Sequence, residues 1–326
     1  MVKVICVNQV LSDADIKQKE GEWITEDCIQ HLIEEDTDAY GIDSKGEKFL
    51  LCKFRKNVIS PELCKIGFDN FKNAAKPSRS RGAAAGPIDT EGVYWKKREL
   101  TNTNKWRTSY LNDGIRSKMS VNNPVVSGAL GYYEASPNFG LPCRMTHHTK
   151  TSLKKFEAGL PFIERIDELF KELVEDRYTM QYDRASLRPD FQINDTAFST
   201  LTINRNFRTA LHRDAGDYSE GFGNLSVLEY GKYSGGYTTF PQYGIGINLR
   251  QGDFVAMNVH EYHANTPIYE TDEDKAYNDT LENIYKRDNP EVGTAGICKK
   301  YNRLSFVCYL REKIIHCENV KKQTEI

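Results

Sequence analysis

The chain has 326 residues with 39% hydrophobic and 28% charged side chains and a formal net charge of −2. That balance fits a soluble globular protein rather than a disordered or membrane one, and the length allows one large domain or two modest ones. No apolar run reaches bilayer length, so no membrane span is expected.

Met1-Val2-Lys3-Val4-Ile5-Cys6 lacks the long apolar core of a signal peptide. An intracellular setting, nuclear or cytoplasmic rather than secreted, is therefore expected. The eight cysteines, from Cys6 to Cys317, show no C-x-x-C spacing. They read as reduced thiols, neither a zinc site nor a disulfide framework.

Residues 47–59 read as a strand. Ser60-Pro61-Glu62 then opens a helix, with Ser60 as N-cap and Pro61 at the first helical position. Between Lys76 and Lys118 ten basic residues face four acidic ones, a local charge of +6, with Tyr94, Trp95, Trp106 and Tyr110 interleaved. Cations alternating with aromatics suit a phosphate backbone and stacked bases, and suit a solvated loop equally well. Within it, 78–87 is small, basic and glycine-bearing, and reads as a loop.

A helix is predicted from Pro161 to Arg177, because Ile163, Ile166, Phe170 and Val174 recur at three- and four-residue steps. From about Asp195 the pattern turns to short strands: 198–204, 225–230, 235–241, 245–249, 254–257 and 304–310. Turn signals at short intervals argue an α+β fold whose core is a double-stranded β-helix (jelly roll) with helices packed outside. Residues 1–125 read as an N-terminal extension with a basic aromatic loop packed on the core, and 126–326 as the jelly-roll domain.

The chemistry lies in that second half. Side chains two apart on a strand share a face, so His212 and Asp214 in Leu211-His212-Arg213-Asp214 point the same way. A second imidazole follows at His260 or His263. Strand alternation sends those two to opposite faces, and His263, where the chain turns into His263-Ala264-Asn265-Thr266-Pro267, is preferred as ligand. Two imidazoles and one carboxylate with open positions form the facial set that binds non-haem Fe(II) for oxygen chemistry.

Arg303 begins the strand Arg303-Leu304-Ser305-Phe306-Val307-Cys308-Tyr309. A guanidinium pointing into a barrel must find a carboxylate, because an unpaired buried charge is very costly. Its planar fork suits the distal carboxylate of 2-oxoglutarate, with Ser305 adding a hydroxyl contact. Arg311, later on the same face, is the alternative anchor.

These motifs, with Gly128-Ala129-Leu130-Gly131-Tyr132-Tyr133 and Cys143-Arg144-Met145-Thr146 upstream, resemble the TET/JBP family over roughly residues 126–317, in its algal, fungal and viral branch. The resemblance implies Fe(II)- and 2-oxoglutarate-dependent dioxygenase activity on the 5-methyl group of a pyrimidine, 5-methylcytosine or thymine, in DNA. It makes His212, Asp214 and His263 the iron ligands and Arg303 the 2-oxoglutarate anchor. Extrusion of the base is implied, since a methyl group inside a stack is out of reach. Asn204 to Arg208, just before the ligands, would then contact base or phosphate, with Asn204 and Arg208 as substrate-binding candidates. Asp217 would accept from a cytosine amino group.

The chain departs from the family pattern in two places. The gap from His263 to Arg303 is long, with a charged insert, 270–301, expected to form a lid or surface loop. Asp217 stands where animal members carry Asn. One algal branch uses ascorbate, which is therefore a second candidate co-substrate. The same iron site would also serve hydroxylation of a protein side chain or small molecule. A binding module with a degenerate site is disfavoured by the intact ligand set.

Overall fold

Strands dominate the residues described by this computed structural model, 1–92, 94–112, 114–116, 119–285 and 300–318. In chain order the strands used below are β1 (Lys3–Asn8), β2 (His31–Ile33), β3 (Thr37–Ile42), β4 (Lys48–Arg55), β5 (Val125–Tyr133), β6 (Thr200–Arg205), β7 (Gly223–Tyr230), β8 (Thr238–Phe240), β9 (Ile245–Ile247), β10 (Phe254–Met257), β11 (Ala264–Asn265) and β12 (Asn302–Tyr309). The helices are α1 (Pro61–Phe71), α2 (Leu153–Leu173) and α3 (Glu175–Ser186). The larger sheet has ten strands and runs β1-β3-β4-β10-β7-β12-β6-β5, then Arg144–Met145, with Lys76–Ser78 paired to β5 off that path. A four-stranded sheet runs β11-β8-β9-β2.

The central strands β6, β12, β7 and β10 pair antiparallel throughout, as do β11, β8 and β9. Val227, Val255 and Met257 from the first group pack with Phe240, Ile245 and Ile247 from the second. Two sheets wound antiparallel around one apolar seam are the jelly roll expected from the strand pattern. β1, β3 and β4 continue the larger sheet through β4 against β10, so backbone ladders join residues before 125 to residues after it.

Alternation along β12 decides what the sheet shows to each side. Leu304, Phe306 and Cys308 are fully buried beneath the helices, in one cluster with Phe162, Ile166 and Phe170 of α2. Arg303, Ser305, Val307 and Tyr309 face the barrel interior. β6 divides the same way, Leu201 and Ile203 toward the helices and Thr202 and Asn204 inward.

Ser60 caps α1 as expected, its side chain accepting from the Leu63 N–H with Pro61 in the first turn. The helix predicted over 161–177 is corrected at both ends. α2 begins at Leu153 with Pro161 inside it, and ends before Val174, whose non-helical backbone (φ −137°, ψ 58°) separates it from α3. Pro161 removes one intrahelical donor. Burial of the flanking Phe162 and Ile163, both fully covered, outweighs that loss. The helices cross where Gly159 meets Phe71, and a Cβ at Gly159 would lie 2.1 Å from the Phe71 ring.

The cysteine expectation is also corrected. Cys143 and Cys317, 174 positions apart, form a disulfide. The fold brings the turn after β5 beside the C-terminal Glu312–His316 turn, a neighbourhood that no local spacing reveals. Cys6, Cys28, Cys52, Cys64 and Cys308 are free thiols, and Cys298 lies outside the described residues. Of the 270–301 insert, Thr271 opens a short helix, Asp272–Asn278, through a capping box; 286–299 lie outside the described residues.

Candidate metal centre and its cavity

β6 ends in a left-handed turn at Asn206 (φ 46°), whose side chain and backbone both bond Arg303. The chain then passes alongside residues 21–24 and reaches His212. Here His212 and His263 exchange two backbone hydrogen bonds, 3.0 and 2.9 Å, in an isolated antiparallel bridge. That bridge places the imidazoles side by side, ring centroids 4.3 Å apart. Asp214 closes the set, its carboxylate oxygens 3.6 Å from His212 Nε2 and 3.8 Å from His263 Nε2. One ligand atom from each of the three lies within 4.8 Å of the others.

The two rings are oriented from behind. Nδ1 of His212 meets the Ala210 carbonyl at 2.8 Å, and Nδ1 of His263 meets the Glu261 carbonyl at 2.9 Å. A ring nitrogen beside a carbonyl carries the proton, which leaves the Nε2 lone pairs aimed at the shared centre. Burial, reinforced by the neighbouring His212, lowers the His263 pKa to about 4 and so favours the neutral, ligating form. His260 is not part of the set; its Nε2 bonds the Tyr218 carbonyl at 3.0 Å. Two neutral imidazoles and a carboxylate with the remaining directions open fit a non-haem Fe(II) ion.

The centre opens into a cavity of about 230 Å³ that Arg303, Ser305, Asn204 and Asp217 all line. Arg303 is 2% exposed, and its buried Nε has no hydrogen-bond partner among the described residues. Among the described residues no carboxylate pairs with this guanidinium. Glu229, opposite it across the β7–β12 ladder, accepts from the Tyr233 hydroxyl instead. A buried cation that faces a cavity and lacks a protein counter-charge is an anion-binding group. Arg311, the alternative, is already held by a bidentate ion pair with Glu134.

Asn204 accepts from the Ser127 hydroxyl at 2.5 Å. Asp217 sits beside Asp214, and burial together with that neighbouring carboxylate pushes its pKa well above the usual range, against the pull of Arg311. Arg208 does not line this cavity: it lies over the Trp23 ring in a neighbouring hollow and donates to the Ile24 carbonyl at 2.6 Å. Sequence reasoning missed Arg81, Thr202, Thr238, Asn265 and Tyr309 on the cavity wall. The inward alternation of β6 and β12 could have supplied Thr202 and Tyr309. Arg81 arrives from the 78–87 loop through tertiary contact alone.

The basic aromatic segment folds on itself. Residues Glu99–Asn104, Arg107–Asn112 and Ile115–Arg116 form a three-stranded antiparallel sheet. Trp95 is 2% exposed, Arg79 donates to the hydroxyls of Tyr94 and Tyr110, and the Arg98 guanidinium lies 4.0 Å from the Tyr94 ring centroid. The aromatics expected to stack bases thus mostly hold cations and each other. Lys96 and Lys97 are exposed; Asp113 and Lys118 lie outside the described residues.

A jelly roll carrying two histidines and an aspartate around one point, with a buried arginine in the same cavity, defines the non-haem iron oxygenase class. The chain belongs to the TET/JBP family, the oxygenase domain of the 2OGFeDO superfamily, whose family model matches residues 128–312, more than half of the sequence. Its relatives include the bifunctional helicase and thymine dioxygenase JBP2 of Trypanosoma brucei brucei, 32% identical over 300 residues, 91% of this chain and 21% of the relative. Thymine dioxygenase JBP1 of Leishmania tarentolae is 34% identical over 173 residues, 52% of this chain and 20% of the relative. The chain thus spans about a fifth of these curated relatives. Among solved structures, NgTET1 in complex with 5mC DNA matches with TM-score 0.51 at 12% identity, over 99% of this chain and 89% of that one, a likeness of fold.

Proposed function

We propose that this chain is an Fe(II)- and 2-oxoglutarate-dependent dioxygenase that oxidises the 5-methyl group of a pyrimidine, thymine or 5-methylcytosine, in DNA. The observation that carries the reading is Arg303, a buried cation without a carboxylate partner among the described residues, in the cavity that also holds His212, Asp214 and His263. The DNA substrate is supported by the thymine dioxygenases among the relatives and by the 5mC DNA in the NgTET1 structure. An intracellular setting, nuclear or cytoplasmic, follows from such a substrate.

In this reading Nε2 of His212, Nε2 of His263 and the Asp214 carboxylate hold the iron. The Ala210 and Glu261 carbonyls keep both rings in the ligating tautomer. Arg303 receives the distal carboxylate of 2-oxoglutarate through its planar fork, with the Ser305 hydroxyl beside it. When bound, iron and 2-oxoglutarate supply the oxidising power, O2 being divided between succinate and the methyl group. Asn204, Asp217 and Arg81 line the cavity that receives the extruded base. All the metal ligands and Arg303 fall within 126–326, the part we assign as the catalytic domain, while 1–125 adds Ser80, Arg81 and Ala84 to the wall.

The test is to load the chain with Fe(II) and 2-oxoglutarate anaerobically, add duplexes bearing thymine alone or 5-methylcytosine, admit O2, and weigh the released nucleosides. Hydroxymethyl product matched by succinate is expected. Turnover with ascorbate but not 2-oxoglutarate would overturn the co-substrate. Succinate release stimulated by a peptide or small molecule, with unmodified DNA, would overturn the substrate.

A further inference from the structure

β5 meets β6 along one edge, and its other edge is covered in pieces. Lys76–Ser78 pairs there with residues 125–127, off the main path of the sheet. Further along, the Thr146 N–H donates to the Gly131 carbonyl at 2.8 Å and the Gly131 N–H to the Thr149 hydroxyl at 2.9 Å. Lys76 therefore stands opposite Ser127 and the 146–149 turn beside Gly131, about 14 Å apart at ~3.4 Å per residue. Just beyond Ser78, Ser80 and Arg81 line the metal cavity, and Arg81 donates to the Gly128 carbonyl at 3.3 Å. The mouth of the cavity thus adjoins this edge of β5.

The edge is cationic without compensation. Neither 73–88 nor 135–156 contains an aspartate or a glutamate. Lys76, His147, Lys150, Lys154 and Lys155 are exposed. Among the described residues no carboxylate forms an ion pair with Lys76, Arg81, Lys150 or Lys155. Lys154 and Lys155 also stand in the first turn of α2, which holds no acidic residue, against a helix dipole that disfavours cations there. The two segments act at one point: burial first, then Lys76, Lys155 and His147, hold the His148 imidazole below its usual pKa. Like charges gathered on one surface repel each other, and a polyanion laid along them removes that repulsion.

We propose that this edge is the path of the DNA backbone into the active site, with Lys76, Lys150 and Lys155 on successive phosphates and Arg81 and Ser80 on the phosphate at the cavity mouth. The proposal rests on the DNA dioxygenase reading. A base extruded into the cavity leaves its own phosphates outside, so the backbone must pass the mouth. Contacts to phosphates fix position and carry no base information, so the edge adds affinity equally for thymine and for 5-methylcytosine.

The experiment titrates anaerobic affinity for a duplex containing thymine and 5-methylcytosine against salt. It compares the wild-type chain with an edge triple, Lys76→Ala, Lys150→Ala and Lys155→Ala. The control is a second triple, Lys3→Ala, Lys45→Ala and Lys48→Ala, which removes the same charge at the β1–β4 end of the ten-stranded sheet. The edge triple should flatten the logarithmic salt dependence by up to about 2.7 units, at roughly 0.9 per phosphate contact. Over a fourfold rise in salt the wild type should then lose up to about 40-fold more affinity than the edge triple. The control should keep the wild-type slope, and both triples should keep the wild-type melting rise with Fe(II) and 2-oxoglutarate. An edge triple with the wild-type slope, or a control flattened as much, would overturn the path, while oxidation of the duplex would leave the dioxygenase reading standing. Failure to bind or oxidise any duplex would overturn both.

Discussion

Replacing Arg303 by methionine should move stability and co-substrate affinity in opposite directions. The guanidinium is 2% exposed, its Nε is unsatisfied, and it has no ion-pair partner among the described residues. Methionine fills most of the same space without a charge, so the ligand-free protein should hold its stability or gain up to about 4 kcal/mol, as when buried charges give way to apolar packing. Co-substrate binding should collapse. Two charge-assisted hydrogen bonds from the fork are worth roughly 1.5–3 kcal/mol each, which corresponds to about a 10²- to 10⁴-fold rise in the 2-oxoglutarate Kd. The assay is anaerobic calorimetry with Fe(II), with and without 2-oxoglutarate. At a hundred times Kd the wild type gains about 2.7 kcal/mol. For a chain of 326 residues, at about 2.1 cal/mol/K each, that is a melting temperature higher by about 4 °C. Arg303→Met should start at or above the wild-type value and show no such rise at the same concentration. A variant that melts well below wild type and still responds to 2-oxoglutarate would show that Arg303 is a structural cation, and the anchor assignment would fail.

His212→Ala, Asp214→Ala and His263→Ala should each abolish nucleoside oxidation with circular dichroism unchanged, whereas His260→Ala, which loses only the bond to the Tyr218 carbonyl, should keep most activity; the reverse ranking of the two histidines would refute the ligand set. Lys96 and Lys97 are exposed, and Lys96→Ala with Lys97→Ala should flatten the logarithmic salt dependence of DNA binding by up to about two units, at roughly 0.9 per phosphate contact; an unchanged slope would remove this face from the DNA path. Burial pushes the Asp167 carboxyl up to about 6, although the Ala197 N–H and the Tyr178 hydroxyl both donate to it. Its folded-state pKa is raised, so its contribution to stability is complete below about pH 4 and lost as pH rises through 6, up to about 3 kcal/mol by pH 7. Urea midpoints across that window should fall for the wild type relative to Asp167→Asn; parallel profiles would refute the shift.

Local chemistry made much of this protein readable before any fold was known. The His212–Asp214 pair, the His263 turn and the alternation of Arg303 and Ser305 against Leu304 and Phe306 are short-range patterns, because side-chain direction on an extended chain repeats every two residues. Ser60 and Pro61 announced their helix because a cap is satisfied within one turn. The jelly roll followed from strand lengths and turn residues, and its ladders bear that pattern out.

What only the tertiary structure decided depends on partners far apart in sequence. Arg208 and Asn204 stand four positions apart on one segment, yet the turn at Asn206 sends Asn204 into the metal cavity and Arg208 onto Trp23. Arg311 and Arg303 share a strand face, and only the position of Glu134 neutralises one and leaves the other for an anion. Pro161 marks a helix start by local rules, but the packing of α2 against α1 and β12 buries Phe162 and Ile163 and carries the helix through it. Cys143 meets Cys317, and Arg81 reaches the cavity, for the same reason: chain proximity is set by which apolar faces must be covered, and that is a sum over the whole molecule.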